Sequence, residues 1–311
     1  MAQTLSVLEM VFPVILMISL GYLCRVKGFV SKEGLAGIKG VISNVTLPVV
    51  LFQAFYTTTY SFKSVLGFLT IFISCCLALA AGHLLRRLIP GYKLMPYLLS
   101  GFEVGMLGYA LYGLLVGTDK LSYLATLDIG QVLFAYTVYL TLLKNAAGKK
   151  PTLKNIIIDM FKNLAFRGVV LGMIVGITGF GSYIAASPAG GLFEKTIAMI
   201  TAPTSGMILI IVGYELSLRK ELIAPVAKTI ALRIAVMGVL LCICAFIMFH
   251  IIPFDKNQFL AMLLLFSLPA PFIIPLYADV DSEGVYISTT LSMNTLVTVF
   301  IFILLSVYTL T

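Results

Sequence analysis

Ten apolar runs of about 20 residues each, separated by short charged or turn-forming stretches, constrain this chain more than any other feature of it. They lie at about 5–24, 35–56, 64–85, 94–116, 121–143, 167–185, 196–217, 224–249, 258–278 and 285–308. Roughly 20 apolar residues in helix cross the hydrocarbon core of a bilayer, so each run is long enough to span it. The runs are about twice the length of barrel strands, and a backbone exposed to lipid must satisfy its own hydrogen bonds. The expectation is therefore an all-α polytopic membrane protein with ten transmembrane helices. Composition agrees: 60% of the 311 residues are hydrophobic and 11% charged, where a soluble domain has about 45–50% and about 25%.

The net charge of +8 reads as membrane topology, because the bases fall between the runs and form no continuous nucleic-acid-binding face. With the N-terminus outside, 17 of the 21 Lys and Arg fall on the inner side, including Lys228 and Arg233, assigned to the inner edge of the eighth run. Only Lys63, Lys120, Lys195 and Lys256 fall outside. The positive-inside rule then places both termini outside. Asp279, Asp281 and Glu283 form an inner loop without a base, but acidic residues contribute little to orientation. The five cysteines lie in or at the ends of apolar runs without disulfide or zinc spacing, and read as packing residues. No base precedes the run at 5–24, which is too long for the core of a cleavable signal and is expected to persist as the first span.

The longest polar segment, 144–167, divides the runs five and five, giving a first repeat at 1–150 and a second at 151–311. An odd number of spans per half makes the second half enter the membrane from the opposite side. Thr46-Leu47-Pro48 in run two then corresponds to Thr201-Ala202-Pro203 in run seven, and a Gly-rich interruption in run four to a Pro-rich one in run nine. Two inverted five-helix repeats with broken, crossing helices 4 and 9 follow from this pattern.

Run four reads SGFEVGMLGYALYG, with Gly101, Gly105, Gly108 and Gly113 around Glu103. Run nine reads FSLPAPFIIPLYADV, where Pro269, Pro271 and Pro275 each remove a backbone donor. Irregular backbone at membrane depth persists only where protein buries it or a watery cavity solvates it, so paired interruptions point to a binding site. Half-helix N-termini there suit a carboxylate. GxxxG spacing such as Gly101 to Gly105 has a plainer reading as close helix packing. Glu103 and Asp128 are the best-placed buried carboxylates, with no Lys or Arg expected at their depth, and such a group costs a few kcal/mol unless paired or protonated. Asp128 also reads as a helix-end residue bonded to backbone. Polar uncharged residues recur near that depth, namely Asn44, Thr46, Gln53, Gln131, Thr201, Thr204, Ser205, Ser292 and Asn294, each equally readable as interhelical glue. Enzymatic motifs are lacking: there is no HExxH, no phosphate loop and no dinucleotide fingerprint, and a Ser205–His250 protease pair would need the histidine to leave the outer membrane edge.

These stretches resemble the auxin efflux carrier family over the whole chain. The resemblance rests on residues 12–52, FPVILMISLGYLCRVKGFVSKEGLAGIKGVISNVTLPVVLF, together with GFEVGMLGYAL at 101–111, LDIGQVLFAYTVYLTL at 127–142 and LPAPFIIPLYA at 268–278. It implies elevator-like alternating access and a carboxylate solute, since bacterial members include carriers of malate and related dicarboxylates. By position, Asn44 and Pro48 match the family's span-two motif, and Asp128, Gly130 and Gln131 a polar motif in span five. The chain departs at the crossover, where bacterial relatives usually place Asn close to the position of Glu103.

The expected function is secondary transport of a small organic anion, such as malate or an indole acid, across the cytoplasmic membrane. Asn44, Gly101, Gly105, Gln131 and Pro271 are the expected substrate contacts, Glu103 and Asp128 the ion- or proton-coupling groups, and Pro48 and Pro203 the bends that shape the cavity. No catalytic residue, metal site or cofactor beyond a coupling H⁺ or Na⁺ is expected. Expected partners are the bilayer, the organic anion and, optionally, a second copy of the chain, with no nucleic acid. A membrane sensor that binds without net transport is the alternative, and a passive channel a third reading.

Overall fold

The computed structural model describes residues 2–58, 60–146, 148, 152–188, 190–216, 219–274 and 282–310. Among them the secondary structure is helical throughout, with no strand. In chain order the helices are α1 (Ala2–Val26), α2 (Lys32–Val41), α3 (Leu47–Tyr56), α4 (Phe62–Leu85), α5 (Met95–Leu98), α6 (Tyr109–Val116), α7 (Leu121–Phe134), α8 (Leu140–Ala146), α9 (Leu153–Lys162), α10 (Leu164–Ile177), α11 (Phe180–Ala186), α12 (Gly190–Thr201), α13 (Thr204–Glu215), α14 (Ile223–Ile251), α15 (Lys256–Ser267) and α16 (Ser282–Leu310). A π-helical turn, Ile42–Thr46, joins α2 to α3, and a second, Ala135–Tyr139, joins α7 to α8.

Among the described residues, six helical stretches are long and apolar enough to cross a membrane: Lys32–Tyr56, Ser64–Leu88, Thr118–Ala146, Gly190–Glu215, Lys220–Ile251 and Glu283–Thr309. The other four expected spans take different forms. Those expected at 94–116 and 258–278 are interrupted. The first is α1 itself, the 25-residue helix Ala2–Val26 that covers the expected 5–24, and the sixth contributes a shorter apolar helix, Leu164–Ile177. The sixth is not the single helix expected at 167–185. It starts at Leu164, where Asn163 accepts the Phe166 N–H at 3.1 Å, and stops before Gly179, whose φ of +69° is left-handed backbone that ends a helix. The polar segment expected to be a plain divider carries α9, tied back by a Lys144–Asp159 ion pair at 2.7 Å.

Outward faces are apolar. Leu77, Leu171, Val239 and Phe246 are all more than half exposed, as befits side chains whose solvent is hydrocarbon. Hydroxyls buried in helices return their protons to the preceding turn: Thr70 donates to the Leu66 carbonyl, Thr290 to Tyr286 and Ser306 to Phe302. Close helix packing uses glycines outside the crossover. In the pair α1–α13, a Cβ on Gly21 would lie 2.0 Å from the Ile210 carbonyl oxygen, and one on Gly213 would lie 1.9 Å from that of Ile18. In α3–α10, Gly168 abuts the Pro48 carbonyl and Gly172 that of Phe52; in α4–α7, Gly130 abuts Phe68. With little hydrophobic drive between helices in lipid, such backbone approach is what makes them adhere.

Candidate functional site

Two helix breaks meet in the interior. The first follows α5: residues 99–103 leave the helix, and the chain resumes through a π-helical turn, Val104–Gly108, into α6. Gly101 makes this path available, with φ +70° and the Pro271 ring so near that a Cβ would sit 3.0 Å from its Cγ. The second break follows α15. Leu268, which precedes Pro269, is extended (ψ 151°), and neither Pro269 nor Pro271 has an N–H to continue the ladder. The breaks join directly, as the Glu103 N–H donates to the Pro269 carbonyl at 2.9 Å. Pro275, Asp279 and Asp281 lie outside the described residues.

Breaking two helices frees backbone donors and acceptors, and buried ones must be satisfied. The donors go to one carboxylate: Glu103 Oε1 accepts from Met106 N at 3.2 Å and Oε2 from Phe272 N at 2.6 Å. The acceptors go chiefly to one guanidinium. Arg233 Nη1 donates to the Leu98 carbonyl at 2.8 Å, and Nη2 to Gly101 at 2.7 Å and Leu268 at 2.8 Å. Gln131 Nε2 donates to the Phe102 carbonyl at 3.0 Å, and Thr298 Oγ1 to that of Ser267 at 2.5 Å. An acidic and a basic side chain thus each bond to both breaks.

Arg233 corrects the sequence reading twice. It is only 3% exposed and lies ten residues beyond the start of α14, about 15 Å along the helix, so it is no inner-edge topology charge. It is also a base at the two helix breaks, where none was expected. Its signal was present in the sequence: an ionisable residue well inside an apolar run is a functional candidate by default. Counting each base with its nearest membrane edge assigned it to the inner side instead.

A cavity of about 190 Å³ lies against the breaks, and Glu103, Gly105, Asp128, Gln131 and Pro271 all line it. Five of the nine expected residues are therefore brought together. Aromatic walls come from Phe102, Tyr136, Tyr139 and Phe166, which sequence reading did not select. Asp128, 3% exposed, accepts a hydrogen bond through Oδ2 from the Tyr109 hydroxyl at 3.0 Å, so the bland expectation of a carboxylate bonded only to backbone does not describe it. Beyond Leu47 and Gly105, which line both, a second cavity of about 270 Å³ is faced by Gln53, Tyr109, Thr201, Thr204 and Ser205.

The remaining expected residues sit elsewhere. Gly101 is at the break itself, 3.5 Å (from its would-be Cβ) from Gln131 Nε2. Asn44 is exposed, donates to the Gly40 carbonyl at 2.9 Å and lines neither cavity. Pro48 lies just past the first π-helical turn and packs on α10 through its carbonyl. Pro203 caps α13 at the bend from α12, between Thr201 and Thr204 of the second cavity. Among the described residues, no three His, Cys, Asp or Glu gather closely enough to hold a metal ion. No family model and no curated protein matches this chain.

Proposed function

We propose that the chain is a secondary transporter of the cell membrane, of the auxin efflux carrier type it resembles, that moves a small organic solute through the cavity beside the two helix breaks. The observation that carries this reading is that cavity itself, with two carboxylates and an amide at the junction of interrupted helices. Irregular backbone at membrane depth marks solute and ion paths. We read the chain as ten spans in two inverted repeats, 1–150 and 151–311. Packing supports it: exchanging the halves turns the pair α1–α13 into α10–α3 and α4–α7 into α14–α16, all pairs in contact, and exchanges the breaks. In this reading both termini are outside, Glu103 and Asp128 couple a proton or sodium ion, and alternating access moves the breaks relative to α3 and α13.

The resemblance points to malate or an indole acid as the solute. Proteoliposomes with an imposed pH or sodium gradient test the transport reading: saturable, gradient-driven accumulation is expected. Binding without net flux would instead assign a sensor, and unsaturable conductance a channel. Glu103→Gln is expected to abolish pH-driven accumulation while exchange persists. If it retains full pH-driven uptake, coupling passes to Asp128, and Asp128→Asn should show the loss.

A further inference from the structure

We infer that the solute of this cavity is a small organic cation, an amphiphilic ammonium, and not the organic anion that the family resemblance implies; the inference rests on the cavity being the solute site proposed above. An anion at a helix break is held by N–H groups left free where the helix restarts. Here two of those groups are taken. Met106 N and Phe272 N both donate to Glu103, so the chain's own tethered carboxylate fills the place an anionic solute would need.

What remains open to the cavity has the opposite preference. Among the described residues its ionisable lining consists of Glu103, Asp128 and the phenols of Tyr136 and Tyr139, with no Lys, Arg or His. Arg233 does not supply the missing positive charge: its guanidinium is turned to the carbonyls of Leu98, Gly101 and Leu268, and it borders a different cavity, between α14, α15 and α16. Asp128 receives its hydrogen bond on Oδ2 from Tyr109, which leaves Oδ1 of this buried, cavity-lining side chain without a donor among the described residues. An ammonium N–H supplies that donor in a charge-assisted bond. The rest of the wall suits the apolar part of such a solute. Tyr136 and Phe166 stand 5.1 Å apart at 59°, and aromatic faces attract organic cations, most strongly where water is excluded. A cavity of about 150 Å³ accommodates benzene; at about 190 Å³ this one has room for a ring bearing an aminomethyl group.

The test uses the full chain in lipid nanodiscs, with matched probes of opposite charge: benzylammonium and tetramethylammonium against benzoate and malate, read by thermal shift and calorimetric titration. Benzylammonium is expected to bind at least tenfold more tightly than benzoate. Asp128→Asn keeps an oxygen for the Tyr109 hydroxyl and removes the charge, and is expected to weaken benzylammonium at least tenfold. Glu103→Ala frees the two N–H groups and is expected to raise benzoate affinity. Should that variant fail to fold, the wild-type comparison and Asp128→Asn still decide. Equal or tighter binding of benzoate or malate by the wild type, binding of neither charge class, or an unchanged Asp128→Asn overturns the inference. Flux separates the two readings: ammonium binding without transport removes the transporter and leaves the cation site, whereas gradient-driven malate uptake does the reverse.

Discussion

Arg233 and Glu103 divide the work of the two helix breaks by sign, and each is replaceable only by a group that does the same hydrogen bonding. Arg233→Met removes the donor from three buried carbonyls, each worth about 1–3 kcal/mol when left unsatisfied. Thermal unfolding in nanodiscs should therefore show a loss of several kcal/mol. Arg233→Lys should fall between, because a compact ammonium cannot span the carbonyls a planar fork reaches. A methionine variant as stable as wild type would dismiss Arg233 as the tie. Gly101→Ala places a side chain at φ +70° with its Cβ 3.0 Å from Pro271, and left-handed backbone alone costs about 1–2 kcal/mol there. Gly40→Ala, in open space on the helix α2, is the control and should be neutral or slightly stabilising. Equal stability of the two variants would show that the Gly101 path is not required.

At the scale of elements, the departures from regular helix matter more than the helices. π-helical turns precede Pro48 and α8 and restart the chain after Glu103, and such turns reset the faces of the segments they join. At the end of the stretch Thr118–Ala146, Lys144 holds the Asp159 carboxyl of α9 below the usual carboxylate range, chiefly by donating a hydrogen bond to it. Since the folded value lies below the unfolded one of about 3.9, the contact stabilises above that pH and is lost as pH falls through the lower folded value. Asp159 is nearly half exposed, so the effect is small. Protection of the α9 amides, their exchange rate taken relative to the intrinsic rate at the same pH, should fall on acidification through this window in the wild type. Asp159→Asn should already be less protected at neutral pH and change little in protection with acid; parallel protection profiles would remove the ion pair as the anchor of α9.

For the whole molecule, orientation is the open physical quantity that charge counting addresses. Removing Arg233 from the inner tally leaves the bias strongly one-sided, so the expectation of both termini outside is unchanged. Single cysteines added at either end of a cysteine-free chain should react with a membrane-impermeant maleimide in intact cells, while one in the 144–152 connection should not. Labelling of the connection and protection of the ends would invert the topology.

Length and hydropathy of the runs determined by themselves that the chain is helical and built of segments able to cross a bilayer, because those properties are local sums along the chain. The breaks were also legible: Pro269 and Pro271 lack donors, and Gly101 allows a backbone that other residues resist, wherever the surrounding helices lie. Glu103, Gly105 and Pro271 reach the cavity on those breaks, whereas Asp128 and Gln131 come to it on α7. Only the tertiary structure decided how the freed groups are satisfied. That Glu103 bonds Phe272, 169 positions away, and Arg233 bonds Leu98, 135 away, depends on which helices pack side by side. The same packing placed Asn44 outside both cavities and brought Tyr109 to Asp128, so the charge preference of the site emerges from partners that no local pattern names.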